Sequence, residues 1–170
     1  MLGNRFKSLL SQIQKSNNPP VPFNMLKPTL LEFFERELLK VKEEIALYKD
    51  ESLIWETSLG INNSAGNLCL HLIGNLQHFI GAVLGDTGYI RQRELEFSTK
   101  NVPRAQLLAS LDEVIGMIKN TLQNVSEADF DKTYPLEKHG QVVTTRYMLL
   151  HLLTHMNYHL GQINYHRRLI

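Results

Sequence analysis

Four of the seven histidines of this chain lie close together near its carboxyl end, in the stretch LLHLLTHMNYHLGQINYHRRLI. Imidazole is a common protein ligand for zinc, nickel and copper. Residues four apart on a helix share one face and lie about 6 Å apart along the axis. One ion could therefore bind the pair His151 and His155 or the pair His155 and His159. His166 lies about 10 Å beyond His159, too far for the same ion. The spacing leaves both pairs open.

A two-histidine site is weak, because a catalytic zinc ion usually has three protein ligands. The candidate for the third ligand is His71, in the middle of the apolar segment SAGNLCLHLIGNLQHFIGAVLG. On a helix, four polar residues of this segment would share an arc of about 80°: Asn67, His71, Asn75 and His78. Such a polar stripe costs stability unless partners, water or a metal ion satisfy its groups. A single helical histidine is more often hydrogen-bonded or exposed, but the two stripes together indicate a metal site.

Four segments have the pattern of long helices and would position these histidines. They cover residues 29–49, 64–85, 103–123 and the stretch from Thr144 or Thr145 to the carboxyl end. Ser64 and one of the two threonines are suited to cap their helices, and Pro103 suits a first turn. The sequence therefore predicts an all-α four-helix bundle, a fold in which metal sites are built from inward side chains of facing helices.

Smaller features complete the predicted fold. The segment SEADF suggests one helical turn, and KTYPLEKHGQVVTT allows a small hairpin before the last helix. Residues 86–101 show no strong periodicity and predict a connector, while Gly85 suits the end of the helix before it. Residues 1–24 predict an N-terminal arm, a weakly amphipathic helix followed by a proline-rich linker. The bundle domain then covers residues 25–170.

Composition excludes several classes of protein. A formal net charge of +1 lacks the basic excess that a nucleic-acid or anionic-membrane surface needs. No apolar run of about 18 residues predicts a membrane span. The single cysteine, Cys69, cannot form an internal disulfide, which fits the reducing cytoplasm. It would point away from the face of His71 and is expected to be buried. We expect a cytoplasmic protein with neither a nucleic acid nor a membrane as its partner.

The histidine motifs resemble those of a known family. LLTHMNYHLGQI resembles the HxxxHxGQ signature of the DinB/YfiT-like superfamily, and the segment around His71 resembles that family's second helix. The resemblance covers residues 26–170 and implies a four-helix bundle, often a homodimer, that binds one divalent ion such as nickel or zinc. It implies His71, His155 and His159 as the ligands, and so selects one of the two pairs. The chain has Leu160 where arginine is frequent in the family, so any ligand contact made by that arginine is absent.

If these three histidines bind the ion, the other polar residues have supporting or bystander roles. Those expected behind the ligands or along the pocket are Asn67, Asn75, His78, His151, Tyr158 and Gln162. Arg91 or Glu94 could reach the site from the second connector. His139 and His166 are expected in solvent.

An ion held by three neutral imidazoles keeps its positive charge and an open coordination position, so it can activate water, polarise a carbonyl group or bind a thiolate. We therefore expect a metal-dependent transferase or hydrolase that acts on a small molecule; the resemblance implies a low-molecular-weight thiol among its substrates. A metalloprotease is disfavoured, because HLLTH and HMNYH lack the glutamate of the H-E-x-x-H motif. The alternative is a non-catalytic bundle whose ion only stabilises the fold or the dimer. The sequence does not predict which residues are catalytic.

Overall fold

Helices make up most of this protein, whose computed structural model describes residues 26–57 and 60–170. In chain order the helices are α1 (Leu26–Ala46), α2 (Ala65–Gly85), α3 (Arg93–Ser98), α4 (Arg104–Asn124) and α5 (Thr145–Leu169). Within α2, Gln77–Ala82 is π-helical, and two short 3-10 turns cover Ser52–Ile54 and Glu127–Asp131. The predicted arm, residues 1–24, lies outside the described residues.

The four long helices pack as the predicted bundle. α1 lies against α4 and α5, and α2 lies against α4, α5 and the short α3. Several side chains at the centre have no exposed surface, among them Phe34, Leu38, Leu72, Leu111 and Leu149. Burial of this apolar surface is the main favourable term in folding. It also fixes how α2 and α5 face each other, which decides where the histidines meet.

The predicted helix starts are confirmed by their caps. Ser64 Oγ accepts a hydrogen bond from the backbone N–H of Asn67 at 3.2 Å. Thr144 Oγ1 accepts one from Tyr147 at the same distance. Pro103, predicted in a first turn, is instead the residue before α4 and makes no side-chain cap. These caps satisfy backbone donors that a helix start leaves unpaired. The bounds of α1 lie about one turn earlier than the predicted 29–49.

The end of α2 has a different cause from the predicted one. The left-handed capping residue is Asp86, with φ of 48°, and not Gly85. Gly85 is needed for space instead, because a Cβ atom there would lie 2.4 Å from Thr121 Oγ1 on α4. A side chain at this position would require Thr121 of α4 to shift.

The predicted hairpin does not form a sheet. The described residues contain no β-strand, and the segment before α5 has only two isolated antiparallel pairs, Thr133 with Thr144 and Lys138 with Gln141. Pro135 lies between these pairs and has no N–H to donate to a ladder. The segment is therefore a loop that folds back on itself.

Contrary to the expectation from the sequence, helix α2 is long and apolar enough, by length and composition, to cross a membrane. The same test is passed by the core helix of a bundle, and more than half of this apolar stretch is buried inside the fold. Its polar residues Asn67, His71 and Asn75 are buried as well. This degree of burial is typical of a core helix.

The connector 86–101 contains a short helix, α3, that the sequence does not predict. Its sequence RELEFS is too short and too charged to show a helical period, and a helix of this length is unstable alone in water. Tertiary contacts hold it: Asn67 Nδ2 donates to the carbonyl oxygens of Glu96 at 3.0 Å and Thr99 at 2.9 Å. These bonds place α3 beside the middle of α2.

Candidate metal centre

Three histidines from α2 and α5 meet at one point. Nε2 of His155 lies 3.3 Å from Nε2 of His71 and 3.1 Å from Nε2 of His159. One ligand atom from each of the three lies within 4.8 Å of the other two, and no other group of this kind occurs within residues 26–57 and 60–170. Of the two pairs that the spacing allows, the structure therefore brings His155 and His159 to His71.

These separations fit a bound metal ion. Imidazole nitrogens lie about 2.0–2.1 Å from zinc, so two of them on a tetrahedral ion are about 3.3 Å apart. The distances of 3.3 and 3.1 Å agree with this value. Three ring nitrogens this close cannot satisfy one another fully, because at most one proton can lie between two of them. The donor set suits a divalent ion that prefers imidazole.

A carboxylate orients His71. Glu96 Oε2 lies 2.8 Å from His71 Nδ1, and because a carboxylate only accepts, the ring donates its Nδ1 proton. The lone pair of His71 is then on Nε2, which faces the other two histidines. Arg91 closes the network by donating to Glu96 Oε1 at 2.7 Å and to Oε2 at 2.9 Å. Carboxylates fix many metal-binding histidines in this way.

The position of Glu96 depends on its neighbours. Burial alone would raise the pKa of its carboxyl group, but hydrogen bonds from His71 and Arg91 outweigh burial and hold the pKa below its usual value. Space comes from Gly74, because a Cβ atom there would lie 2.3 Å from Glu96 Oε1. Because Gly74 has no side chain, the Glu96 carboxylate of α3 can reach His71.

His159 has a partner of the same kind. Gln162 Oε1 accepts from His159 Nδ1 at 2.6 Å, and Gln162 Nε2 is turned toward the Tyr158 hydroxyl at 3.4 Å. His159 therefore also directs the lone pair of Nε2 at the centre. Burial lowers the pKa of His159, the bond to Gln162 partly opposes this, and the nearby His71 adds to it.

His155 lies between the other two rings and has no protein partner of this kind. Its Nδ1 atom is buried and makes no hydrogen bond within the part of the chain that the structure describes. Burial and then the neighbouring imidazoles, His159 first, lower the pKa of His155 to about 3. The ring is therefore neutral near pH 7, which is the form that binds a metal ion.

The remaining predicted pocket residues lie around the triad but do different things. Asn67 donates to two backbone carbonyls of the α3 region and so holds α3 in place. Asn75 and His151 line a small cavity of about 50 Å³ together with His155. His78 lies in the π-helical segment, half-buried and outside the cluster.

The sequence also predicted whether three other residues are exposed or buried. His139 is exposed and Cys69 is buried, both as predicted. Burial raises the pKa of the Cys69 thiol to about 12, so it is not a nucleophile at neutral pH.

The prediction that His166 lies in solvent is wrong, since its side chain is only 3% exposed. Its Nδ1 lies 2.6 Å from the Tyr48 hydroxyl and its Nε2 lies 3.0 Å from the carbonyl oxygen of Glu56. The last turn of α5 packs against the end of α1, which helical arithmetic on α5 does not include.

Glu96 is the site residue that the sequence did not reveal. Arg91 reaches the network as predicted, but the alternative from the same connector, Glu94, is exposed. The available signal was Gly74, three residues after His71 on the same helix face, because it leaves room beside the imidazole for another side chain.

The centre is accessible and carries little negative charge. His155 and His159 are only half-buried, whereas His71 is 6% exposed. The exposed ring of Tyr158 packs edge-on against His159, with ring centroids 5.3 Å apart. Among the described residues, the one carboxylate hydrogen-bonded to these rings is Glu96, which Arg91 neutralises. An ion held here would keep most of its positive charge and could take a ligand from solvent.

Comparisons with known proteins agree with this structure. A model of the DinB superfamily matches residues 30–163. The crystal structure of a DinB-like protein from Bacillus cereus is similar, with a TM-score of 0.62 and 19% sequence identity over 82% of this chain and 89% of that one. At that identity the likeness concerns the fold. No curated protein sequence matches the chain significantly.

Proposed function

This chain belongs to the DinB superfamily, and we propose that it binds one divalent metal ion through His71, His155 and His159 and uses it to act on a small molecule. The observation that carries the proposal is the convergence of the three Nε2 atoms, with 3.3 and 3.1 Å between neighbours. Family and geometry together fit a metal-binding helical protein. Nickel and zinc are the ions that the family resemblance favours, and both suit imidazole ligands.

The surrounding residues favour a thiol transferase over a hydrolase. A bound divalent ion would lower the pKa of a thiol or of water and polarise a substrate. Attack by water usually needs a general base as well, and the one carboxylate at the centre, Glu96, is engaged by His71 and Arg91. A low-molecular-weight thiol ionises readily without such a base. We therefore favour such a thiol as one of the two substrates.

Metal titration tests the first part of this proposal. The protein is freed of metal with a chelator and titrated with zinc, nickel or cobalt, and one ion per chain is expected. His155→Ala should lose this binding, because His155 lies between the other two ligands. His78→Ala is the matched control, since His78 is a histidine of α2 outside the cluster, and it should bind as the unaltered chain does. An unaltered chain that takes up no ion would rule out the proposal.

Cobalt spectroscopy separates an enzyme from a structural metal site. If the ion has an open position, adding a low-molecular-weight thiol to the cobalt form should change its visible absorption spectrum. The half-buried His155 and His159 support this outcome. An unchanged spectrum, together with a fall in melting temperature on metal removal, would instead establish the non-catalytic bundle.

Other parts of the functional assignment stay predictions from the sequence. They are the cytoplasmic location, the homodimer, and the expectation that neither nucleic acid nor membrane is the partner. Gel filtration with light scattering would decide the oligomeric state.

A further inference from the structure

The small cavity beside His155 is lined by two residues that each carry an unpaired buried polar atom. It lies between α2, α5 and the loop before α5, and its polar lining comes from Asn75, Lys138, His151 and His155. Asn75 Oδ1 and His155 Nδ1 are both buried and have no hydrogen-bond partner among the described residues. Asn75 is only 7% exposed. Buried polar atoms in native proteins are nearly always hydrogen-bonded to protein or to ordered water.

The size of this cavity limits what can pair with these atoms. Its volume is about 50 Å³, whereas pockets for small organic ligands measure about 300–1,000 Å³. One buried water needs at least about 10–15 Å³ and two to four polar neighbours. The cavity is therefore too small for a substrate and suited to one or two water molecules.

The hydrogen-bonding chemistry of the two atoms is complementary through one water molecule. An amide oxygen only accepts, so Asn75 Oδ1 needs a donor. When Nε2 of His155 binds a metal ion, the ring carries its proton on Nδ1 and needs an acceptor. Water can supply both partners at once, donating to Asn75 and accepting from His155.

We propose that a buried water molecule in this cavity links Asn75 Oδ1 to His155 Nδ1 and makes Asn75 a positioning residue for the metal centre. The proposal rests on the metal-binding function proposed above and deepens it. The other two ligands have direct protein partners on Nδ1, Glu96 for His71 and Gln162 for His159. His155 would have the equivalent partner one water molecule away, so that all three rings keep the Nε2 lone pair toward the ion.

A high-resolution crystal structure tests the water directly. Density for a water molecule within hydrogen-bond distance of both atoms, about 2.7–3.2 Å, is expected in the metal-free and zinc-bound protein. A well-ordered cavity without such density in both forms would overturn the proposal. Because this experiment uses the metal-free protein as well, it remains decisive if the chain binds no metal.

Two substitutions at Asn75 test the positioning role. Asn75→Leu removes the acceptor at similar volume, and zinc affinity measured by chelator competition should fall about 10-fold, as when hydrogen-bond partners of metal-binding histidines are removed. Asn75→Asp keeps an oxygen acceptor and should stay within about 3-fold of the unaltered chain. A purely steric role would not predict the loss in Asn75→Leu, because leucine has a similar volume. Asn157→Leu is the control, because this exposed asparagine of α5 bonds only to its own helix.

A spectroscopic readout completes the test. In the zinc-bound protein, nitrogen-15 NMR of His155 should show a slowly exchanging proton on Nδ1, and Asn75→Leu should speed its exchange. Equal affinity and equal exchange in Asn75→Leu would overturn this inference while leaving the proposed function intact. An unaltered chain that binds no zinc would instead refute the proposed function. If Asn75→Leu does not fold, Asn75→Asp and the crystal structures decide.

Discussion

Helix α5 buries imidazoles at two places, around His155 and at His166, and their nitrogens are satisfied in opposite ways. At His166, the Glu56 carbonyl oxygen accepts from Nε2 and the Tyr48 hydroxyl bonds to Nδ1. Burial raises the pKa of Tyr48, so this hydroxyl stays protonated and can donate. At His155, Nε2 faces two other ring nitrogens, and Nδ1 is buried without a hydrogen-bond partner among the described residues.

The difference separates a histidine of the fold from a histidine of a site. His166 is complete without any further group, because protein atoms pair both of its nitrogens. His155 is not complete without a further group, because its Nε2 lone pair converges with those of His71 and His159 and the three together need a cation. The following predictions test this contrast and the contacts behind it, and the first two use leucine at each position.

Metal affinity should depend on His155 and not on His166. Losing one of three ligands in His155→Leu should weaken zinc binding by at least about 100-fold, more than the loss of a hydrogen-bond partner behind a ligand. His166→Leu should stay within about 3-fold, because both of its nitrogens are already bonded to protein. Chelator competition measures both. Equal losses in the two variants would erase the contrast.

The stability of the metal-free protein should instead depend on His166 and not on His155. His166→Leu leaves the Tyr48 hydroxyl and the Glu56 carbonyl without their partner and should cost about 2 kcal/mol in the free energy of unfolding. His155→Leu removes an imidazole that is poorly satisfied without an ion and should be neutral or stabilising by up to about 1 kcal/mol. Urea unfolding of both variants checks this. A large loss in His155→Leu would mean that its ring is well paired without metal.

The carboxylate behind His71 should matter through the space that Gly74 provides. Gly74→Ala would place a Cβ atom against Glu96 Oε1, displace the carboxylate and lower zinc affinity about 10-fold. Gly116→Ala is the matched control, because a Cβ atom at this helical glycine of α4 meets nothing within 4 Å. It should leave zinc affinity unchanged and stabilise the fold by about 0.5–1 kcal/mol. If Gly74→Ala binds zinc normally, Glu96 does not orient His71.

The stability of the metal-free protein should also depend on pH through His155. The pKa of His155 is lowered from 6.5 to about 3 in the folded state, so between these values the unfolded chain binds a proton that the folded chain does not. Stability is therefore complete above about pH 6.5 and falls as the pH drops, by at most about 1.4 kcal/mol per pH unit for this group. Urea unfolding at several pH values should show a shallower fall in His155→Leu. An unchanged slope would show that this ring titrates normally.

Local patterns predicted the elements and the face of each one. The caps at Ser64 and Thr144 and the apolar stripes were sufficient for four helices, because capping and amphipathicity are properties of adjacent residues. The same periodicity placed His155 and His159 on one face of α5 and His71 on the polar stripe of α2. The short helix α3 escaped prediction because contacts from Asn67, distant in sequence, hold it.

By itself, then, the sequence determined a helical bundle, its family resemblance and a short set of histidines able to share one ion. Only the tertiary structure decided which of them meet and what stands behind them. His159 and His166 lie on nearly the same side of α5, yet one faces His71 and the other faces Tyr48 and Glu56. The physical reason is that periodicity specifies rotation about one helix axis, whereas the neighbours at each height depend on how separate helices pack.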